Sequence, residues 1–204
     1  MDAVATDGLM PEDDLPDLDP SQRQLGFPYK RILIYGVTGS GKTTMAKHLS
    51  KQLDLPYIDV DSLTWEPNWV EVPLDIQEQR IRDICARDGW ILDSAYGKWV
   101  NLPLDRVELV IGLDYSRMRV FSQLLRRTLR RAIKREPVCN GNVEQFSKMF
   151  SKDSILLWQH VSFHRKRERI HRWAAEGKFE VKVLKRPIDF DLWLVELDRS
   201  KEFR

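Results

Sequence analysis

In "RILIYGVTGSGKT" (residues 31–43) an apolar run leads directly into a glycine-rich loop, and this junction is the strongest indication of the fold. The apolar run has the length and composition of a buried strand. The loop fits the spacing G-x-x-x-x-G-K-[ST], and an amphipathic helical pattern follows it. The fixed positions of this spacing are Gly36, Gly41, Lys42 and Thr43. Strand, loop and helix together predict a phosphate-binding loop.

Each residue type in the loop suits a polyphosphate ligand. Glycines let consecutive backbone N–H groups turn inward, and the head of the following helix adds unpaired N–H groups and a positive dipole. Lys42 can reach the β and γ oxygens, and the Thr43 hydroxyl suits Mg²⁺. We therefore predict that the loop binds nucleotide phosphates together with Mg²⁺. The predicted nucleotide-binding residues in the loop are Gly36, Thr38, Gly39, Ser40, Gly41, Lys42, Thr43 and Thr44.

The composition is that of a globular protein with an uneven charge distribution. Of 204 residues, 42% are hydrophobic and 31% charged, and no apolar run approaches the length of a membrane span. Residues 1–22 hold seven acids and no Lys or Arg, which leaves 33 basic and 24 acidic residues, or +9, in the remainder. We predict a disordered acidic tail over 1–24 and one domain over 25–204. Two cysteines in no metal-like spacing favour a cytoplasmic protein.

Apolar runs alternate with amphipathic stretches along the rest of the chain, which predicts an α/β fold with a doubly wound parallel sheet. The predicted strands are 31–35, 56–59, 90–93, 107–113 and 179–184. The predicted helices are 42–53, 74–87, 116–134, 153–175 and 189–197. Ligands of such sheets bind beyond the carboxyl ends of the strands.

Carboxylates and aromatic residues follow the second and third strands, at the rim that the loop shares. Asp59 and Asp61 can hold Mg²⁺ or orient a substrate hydroxyl, although capping of a helix by Asp61 or Ser62 is the alternative. Two tryptophans just beyond them can stack on a planar substrate. The predicted metal ligands are Thr43 and Asp59. The predicted substrate-binding residues are Asp59, Asp61, Trp65, Trp69, Asp93 and Tyr96.

A basic helix follows the fourth strand, since residues 117–135 hold eight basic side chains and no acid. Arg127 and Arg131 are spaced by four, so both can face the phosphates and neutralise a phosphoryl group in transfer. We predict Lys42, Asp61, Arg127 and Arg131 as catalytic residues, and a lid over about 132–152. The side chains of a second basic stretch, residues 164–172, can either return to the site or face solvent, and we expect them to face solvent.

Three segments resemble a known family: residues 32–71, "GWILDSAYG" (89–97) and "LVIGLDYSRMRVFSQLLRRTLRR" (109–131). They look like the adenylate-kinase-related proteins often labelled DNA topology modulation proteins, and the likeness runs from about Lys30 to about Trp173. It implies a three-layer P-loop NTPase fold with strand order 2-3-1-4-5, ATP on the loop and a helical, arginine-bearing lid. Related kinases lodge adenine near the turn that holds Arg186, which an ordinary strand-to-helix turn also explains.

These features favour an ATP-dependent phosphotransferase that acts on a small molecule, a nucleoside or a nucleotide. The expected partners are a nucleoside triphosphate and a small phosphoryl acceptor, with no membrane. No N-K-x-D guanine motif occurs in the sequence. Two alternatives stay open: a nucleotide-controlled nucleic-acid binder, because the body is basic, and an ATP-binding pseudo-kinase. The second arises because Ser94 and Ala95 stand where the family usually has Gly and Asn.

Overall fold

The computed structural model describes residues 27–134, 137–143 and 155–202. The predicted acidic tail and part of the predicted lid lie outside these residues. Within the described ranges, no helix is both long and apolar enough to cross a membrane.

Five parallel strands form the central sheet, in the order β2-β5-β1-β6-β9. Counted along the chain within this sheet, the order is 2-3-1-4-5, so the predicted α/β fold and strand order are confirmed. The strands are β1 (Arg31–Gly36), β2 (Tyr57–Ile58), β5 (Trp90–Leu92), β6 (Leu109–Leu113) and β9 (Glu180–Leu184). Two small antiparallel hairpins complete the set, β3 (Trp65–Glu66) with β4 (Val70–Glu71), and β7 (Pro137–Val138) with β8 (Asn142–Val143).

Seven helices are described: α1 (Lys42–Leu53), α2 (Val60–Thr64), α3 (Leu74–Cys85), α4 (Asn101–Leu104), α5 (Arg117–Lys134), α6 (Ile155–Glu176) and α7 (Ile188–Glu202). The first predicted helix has the observed bounds. The last begins one residue earlier than predicted and runs to Glu202. Short 3₁₀ turns at Pro67–Trp69 and Cys139–Gly141 connect the strands of the two hairpins.

The sheet is buried on both faces, which explains why its strands read as continuous apolar runs. Ile32 and Ile34 of β1 point into a core cluster with side chains of α1 and α7. Leu33 and Tyr35 point to the opposite face, into a cluster with side chains of α3 and α6. Helices on both sides of the sheet give three layers and leave the carboxyl rim as the open end for ligands.

Two contacts fix α6 against the sheet near that rim. Gly112 in β6 allows close packing, because a Cβ there would lie 2.5 Å from Ile170 Cγ2. Just after β6, the buried Asp114 accepts hydrogen bonds from Arg167 Nε at 2.8 Å and from His171 Nε2 at 2.9 Å. The orientation of α6 is therefore set by packing and by a carboxylate at the strand end.

Candidate active site

The phosphate loop follows β1 and turns directly into α1. Gly39 and Gly41 have φ of 88° and 87°, conformations that L side chains rarely adopt. Ser40 closes the bend, since its backbone N–H and its hydroxyl both donate to the carbonyl of Val37, at 3.2 and 2.8 Å. Gly36 belongs to the strand, and its lack of a Cβ makes room for Ser40 Oγ and Leu113. The loop thus presents the predicted residues around the head of α1.

Lys42 lies over the loop rather than pointing to solvent. Its Nζ donates to the carbonyl of Val37 at 3.1 Å. Burial lowers the pKa of Lys42, the carboxylates of Asp61 and Asp93 oppose this, and the charge of Arg127 lowers it further. A phosphate next to Lys42 would favour the charged form of this lysine, because a nearby negative charge stabilises an ammonium group. Arg127 of α5 is thus one of the charged groups that act on Lys42.

The carboxylate that contacts Thr43 is Asp93, at the end of β5. Its Oδ2 accepts from Thr43 Oγ1 at 2.8 Å and from the Tyr57 hydroxyl at 2.9 Å, and its Oδ1 accepts from the Val60 N–H at 3.3 Å. Burial raises the pKa of Asp93 to about 6, the Thr43 hydrogen bond opposes the rise, and Asp59 adds to it. Burial and the Asp93 charge raise the pKa of Tyr57, which therefore stays a donor at neutral pH.

Asp59 is the N-cap of α2. Its Oδ1 accepts from the backbone N–H of Asp61 at 3.0 Å, and its Oδ2 accepts from the Ser62 hydroxyl at 2.7 Å. Capping was the alternative for this segment, but the capping residue is Asp59 rather than Asp61 or Ser62. A role of Asp59 as a metal ligand stays a prediction.

Asp61 and Tyr96 meet at the open rim with two tryptophans behind them. The Tyr96 hydroxyl donates to Asp61 Oδ1 at 2.7 Å, and Trp65 Nε1 donates to the Tyr96 hydroxyl at 3.4 Å. Burial and Asp61 raise the pKa of Tyr96. Trp69 packs against Trp65 edge to face, with ring centroids 6.1 Å apart, and keeps 36% of its surface exposed. The structure therefore brings these four predicted substrate-binding residues together.

Part of the predicted lid rests on this group of residues. The turn between β7 and β8 carries Asn140, whose Nδ2 donates to the carbonyls of Ser62 at 2.8 Å and Trp65 at 2.6 Å. The buried Asn142 donates to the Glu66 carbonyl at 3.0 Å and accepts from the Trp69 N–H at 2.8 Å. Both asparagines were missed in the sequence, because side-chain amides that bind a distant backbone leave no periodic signal.

The two predicted arginines of α5 lie one turn apart and are half-buried. The charge of Arg127 lowers the pKa of Lys42, and the catalytic roles of both arginines stay predictions. Arg186 is exposed, and its Nε and Nη2 donate to Asp189 Oδ1 at 3.0 and 2.8 Å. Its backbone N–H donates to Asp189 Oδ2 at 2.8 Å, so this segment has the geometry of a strand-to-helix turn. A contact between Arg186 and the nucleotide stays a prediction.

The expectation that residues 164–172 face solvent is wrong for two side chains. Lys166 Nζ donates to the carbonyl of Gly36 at 3.3 Å, and Arg169 Nη1 donates to the Tyr35 hydroxyl at 3.0 Å. The physical reason is the packing of α6 on the sheet, which turns this side of the helix toward the loop. Phe163 and Ile170 on the same side are buried, so the apolar spacing held a signal that was overlooked.

The donor atoms beside the loop fit Mg²⁺. Among the described residues, no group of three or more His, Cys, Asp or Glu could hold a metal by itself. Magnesium, however, needs only one or two protein carboxylates, because phosphates and water supply the other ligands. The Thr43 hydroxyl and the Asp93 carboxylate are adjacent oxygen donors of that kind, and Asp59 is close enough to influence Asp93. The site thus suits a cation shared with a bound nucleotide.

Comparisons with known proteins agree with this fold. The profile of the shikimate kinase family matches residues 38–89, which include most of the loop, α1 and the two rim carboxylates after β2. A shikimate kinase of Bacillus cereus (strain AH187) is 36% identical over 85 residues, 41% of this chain and 46% of that protein. One from Sulfurihydrogenibium sp. (strain YO3AOP1) is 28% identical over 111 residues, 47% of this chain and 66% of that protein.

A solved structure extends the likeness over most of the chain. The shikimate kinase from Acinetobacter baumannii in complex with shikimate matches with a TM-score of 0.51 and 16% identity, and the match covers 91% of this chain and 100% of that one. At this identity the match shows the fold alone. The chain spans about half the length of the Bacillus shikimate kinases that it matches. It therefore has the fold of a P-loop kinase, and its phosphate-loop half is similar to shikimate kinases.

Proposed function

We propose that the protein is a small-molecule kinase that transfers the γ-phosphoryl group of ATP to a hydroxyl of a small polar acceptor. The observation that carries this proposal is the convergence of three features on one rim. These are a complete phosphate loop, the buried carboxylate of Asp93 hydrogen-bonded to Thr43, and the exposed carboxylate of Asp61 beside Tyr96. A loop that only bound nucleotide would not need the second carboxylate.

In this reaction the acceptor oxygen attacks the γ-phosphorus, and the bond from that phosphorus to the β–γ bridging oxygen breaks. Asp61 accepts the proton of the acceptor hydroxyl, and Tyr96 holds the carboxylate in place. Lys42 and Arg127 carry positive charge to the oxygens of the group in transfer. Thr43 and Asp93 would hold Mg²⁺, which neutralises charge on the β and γ phosphates when it is bound.

The acceptor is expected on the side of Asp61, Trp65 and Tyr96. The Bacillus and Sulfurihydrogenibium relatives are named shikimate kinases, and the solved neighbour holds shikimate, so a hydroxylated acid is the first acceptor class to test. Sugars, nucleosides and nucleoside monophosphates follow, because the exposed tryptophan edge suits flat or cyclic molecules.

The test is acceptor-dependent release of ADP from Mg·ATP, with mass detection of the phosphorylated product, across that panel. We expect Lys42→Met to lose ATP binding and Asp61→Asn to keep it while turnover falls at least about 100-fold. Lys47→Met is the matched control, since Lys47 is an exposed lysine on the same helix. A wild-type protein that released no ADP above basal hydrolysis with any acceptor would refute the proposal.

A second candidate is nucleic-acid binding, which the exposed basic side of α5 favours. Arg117, Arg126, Arg130 and Lys134 are exposed along this helix, and Lys and Arg contacts to phosphates make binding strongly dependent on salt. Duplex and single-stranded DNA should then bind at about 50 mM salt and be released at about 200 mM. Alanine at Arg126, Arg130 and Lys134 should remove this binding and leave ATP affinity unchanged.

A further inference from the structure

A second lysine reaches the phosphate loop, and it comes from α6 rather than from the loop. Lys166 Nζ lies 3.3 Å from the carbonyl oxygen of Gly36, and 5.7 Å from the centroid of the Tyr35 ring. Lys42 binds the next carbonyl along the chain, that of Val37. Two ammonium groups from different helices therefore lie on consecutive carbonyls where the loop begins.

The surroundings of Lys166 are mostly cationic. Lys42 on α1 faces it, and Arg165 and Arg169 lie nearby on its own helix, whereas Asp61 on α2 is the opposing carboxylate. The Lys166 stem is partly accessible, but its ammonium group is enclosed. Burial, followed by the charge of Lys42, lowers the pKa of Lys166 to about 7, and Asp61 opposes this. Asp61 is itself exposed and already accepts from Tyr96.

A purely structural reason for this lysine is weak. One hydrogen bond to a neutral carbonyl does not offset the desolvation of an ammonium group, and an apolar side chain would pack better there. Lys166 also lies on the same side of α6 as the buried Phe163 and Ile170. The close contact of Ile170 with Gly112 holds this part of the helix rigidly. An anion placed between Lys42 and Lys166 would make the charged form of Lys166 favourable, because the anion would be attracted to both ammonium groups.

We propose that Lys166 is a second active-site lysine, which binds an oxygen of the phosphoryl group in transfer alongside Lys42. The inference rests on the proposed kinase function and assigns one more residue to its site. Because its lowered pKa makes Lys166 partly neutral, binding of the terminal phosphate draws a proton onto it. An anionic group on the acceptor would bind Lys166 in the same way, so the experiment distinguishes the terminal phosphate of ATP from an anion on the acceptor.

The experiment is titration calorimetry with Mg²⁺ and no acceptor, using ADP and the slowly hydrolysed γ-thio analogue of ATP. Measurements at about pH 8, in buffers of different ionisation enthalpy, count the protons taken up on binding. The variants are Lys166→Met and Lys166→Arg. The control is Lys178→Met, since Lys178 is an exposed lysine paired with Glu176 beyond the far end of α6.

We expect the wild type and the control to take up close to one proton more with the ATP analogue than with ADP, because a lysine with a pKa of about 7 is mostly neutral at pH 8. Lys166→Met should lose at least about tenfold in affinity for the analogue and under about threefold for ADP. Lys166→Arg should keep the affinity but lose the extra proton, because a guanidinium is charged at every pH used. Equal losses for both nucleotides, or an extra proton that persists in Lys166→Arg, would overturn the proposal.

Two further outcomes are decisive. If Lys166→Met binds both nucleotides like the wild type and only raises the KM of an acceptor, the anion belongs to the acceptor and the assignment is overturned. If Lys166→Met does not fold, as thermal unfolding would reveal, the proton count of Lys166→Arg decides alone. None of the nucleotide measurements needs turnover, so they stand even if no acceptor is phosphorylated and the kinase proposal fails.

Discussion

The contact between the phosphate loop and α5 can be tested with two alanine substitutions that differ in one respect. Gly39 and Gly41 share nearly the same backbone conformation, with φ of 88° and 87°. A Cβ at Gly39 would lie 2.8 Å from both Leu124 Cβ and the Val120 carbonyl oxygen of α5. A Cβ at Gly41 would have nothing within 4 Å. Comparison of the two variants therefore isolates the cost of the contact.

The expected magnitudes follow from this geometry. A left-handed conformation costs an L residue about 1–2 kcal/mol relative to glycine, and both variants incur this cost. Overpacking adds about 1–3 kcal/mol, and only Gly39→Ala incurs it. The Val120 oxygen is helix backbone, so it cannot rotate away as a side chain would. We expect a loss of unfolding free energy of about 1–2 kcal/mol for Gly41→Ala and about 2–5 kcal/mol for Gly39→Ala.

The assay is urea unfolding followed by circular dichroism, without nucleotide or Mg²⁺, so that lost ligand binding does not enter the result. Equal m-values would show that the variants unfold from comparably compact states. If the two variants lost the same free energy within about 0.5 kcal/mol, the first turns of α5 would not press on the loop as described, and the reasoning would be refuted.

Three further predictions concern buried polar groups. Burial raises the folded-state pKa of Asp93 to about 6, so the ionised carboxylate destabilises the fold increasingly as the pH rises from about 4 to 6. In urea unfolding with EDTA, Asp93→Asn should therefore raise the free energy of unfolding by up to about 3 kcal/mol at neutral pH and by little at pH 4. Asn142→Ala should speed amide exchange at Trp69 by at least about tenfold, and an unchanged rate would contradict the described docking of the hairpin. Asp114→Asn should lower the free energy of unfolding by about 2 kcal/mol, because the carboxylate is buried against two basic side chains of α6. Glu176→Gln, which alters an exposed ion pair, should lower it by less than about 0.5 kcal/mol in the same urea assay.

The strands and the phosphate loop could be predicted because their signals are local. An apolar run, a fixed glycine spacing and an amphipathic stretch are readable without knowledge of the rest of the chain. The bounds of α1 agree with the prediction residue for residue. The ends of the other elements shift by a few residues, since capping and fraying depend on tertiary contacts.

The partner of Thr43 illustrates what local reasoning left out. The sequence analysis predicted Asp59 as the metal ligand beside Thr43, because Asp59 and Asp61 form a pair of carboxylates after β2. In the sheet, however, β5 lies directly beside β1 and β2 lies one strand further away. Asp93 at the end of β5 is therefore the carboxylate within reach of Thr43. The strand order implied by the family resemblance already contained this conclusion, but it was not applied to the carboxylates.

Lys166 could not be assigned from its own segment, because residues 164–172 read as a run of charges. Its position depends on how closely α6 approaches β6, and this depends on the missing side chain of Gly112. The contact with Gly36 itself leaves no trace in the local sequence, although the apolar spacing around Lys166 indicates that one basic residue falls on a buried side of the helix.

Among the described residues, the hydrogen bonds that Asn140 and Asn142 make to residues 62–69 all go to main-chain atoms, the carbonyls of Ser62, Trp65 and Glu66 and the N–H of Trp69. Substitutions in residues 62–69 can therefore change the side chains that are proposed to contact the acceptor while these hydrogen bonds are kept. If the proposed function holds, the acceptor preference can change through these side chains while the backbone contacts of the hairpin are kept.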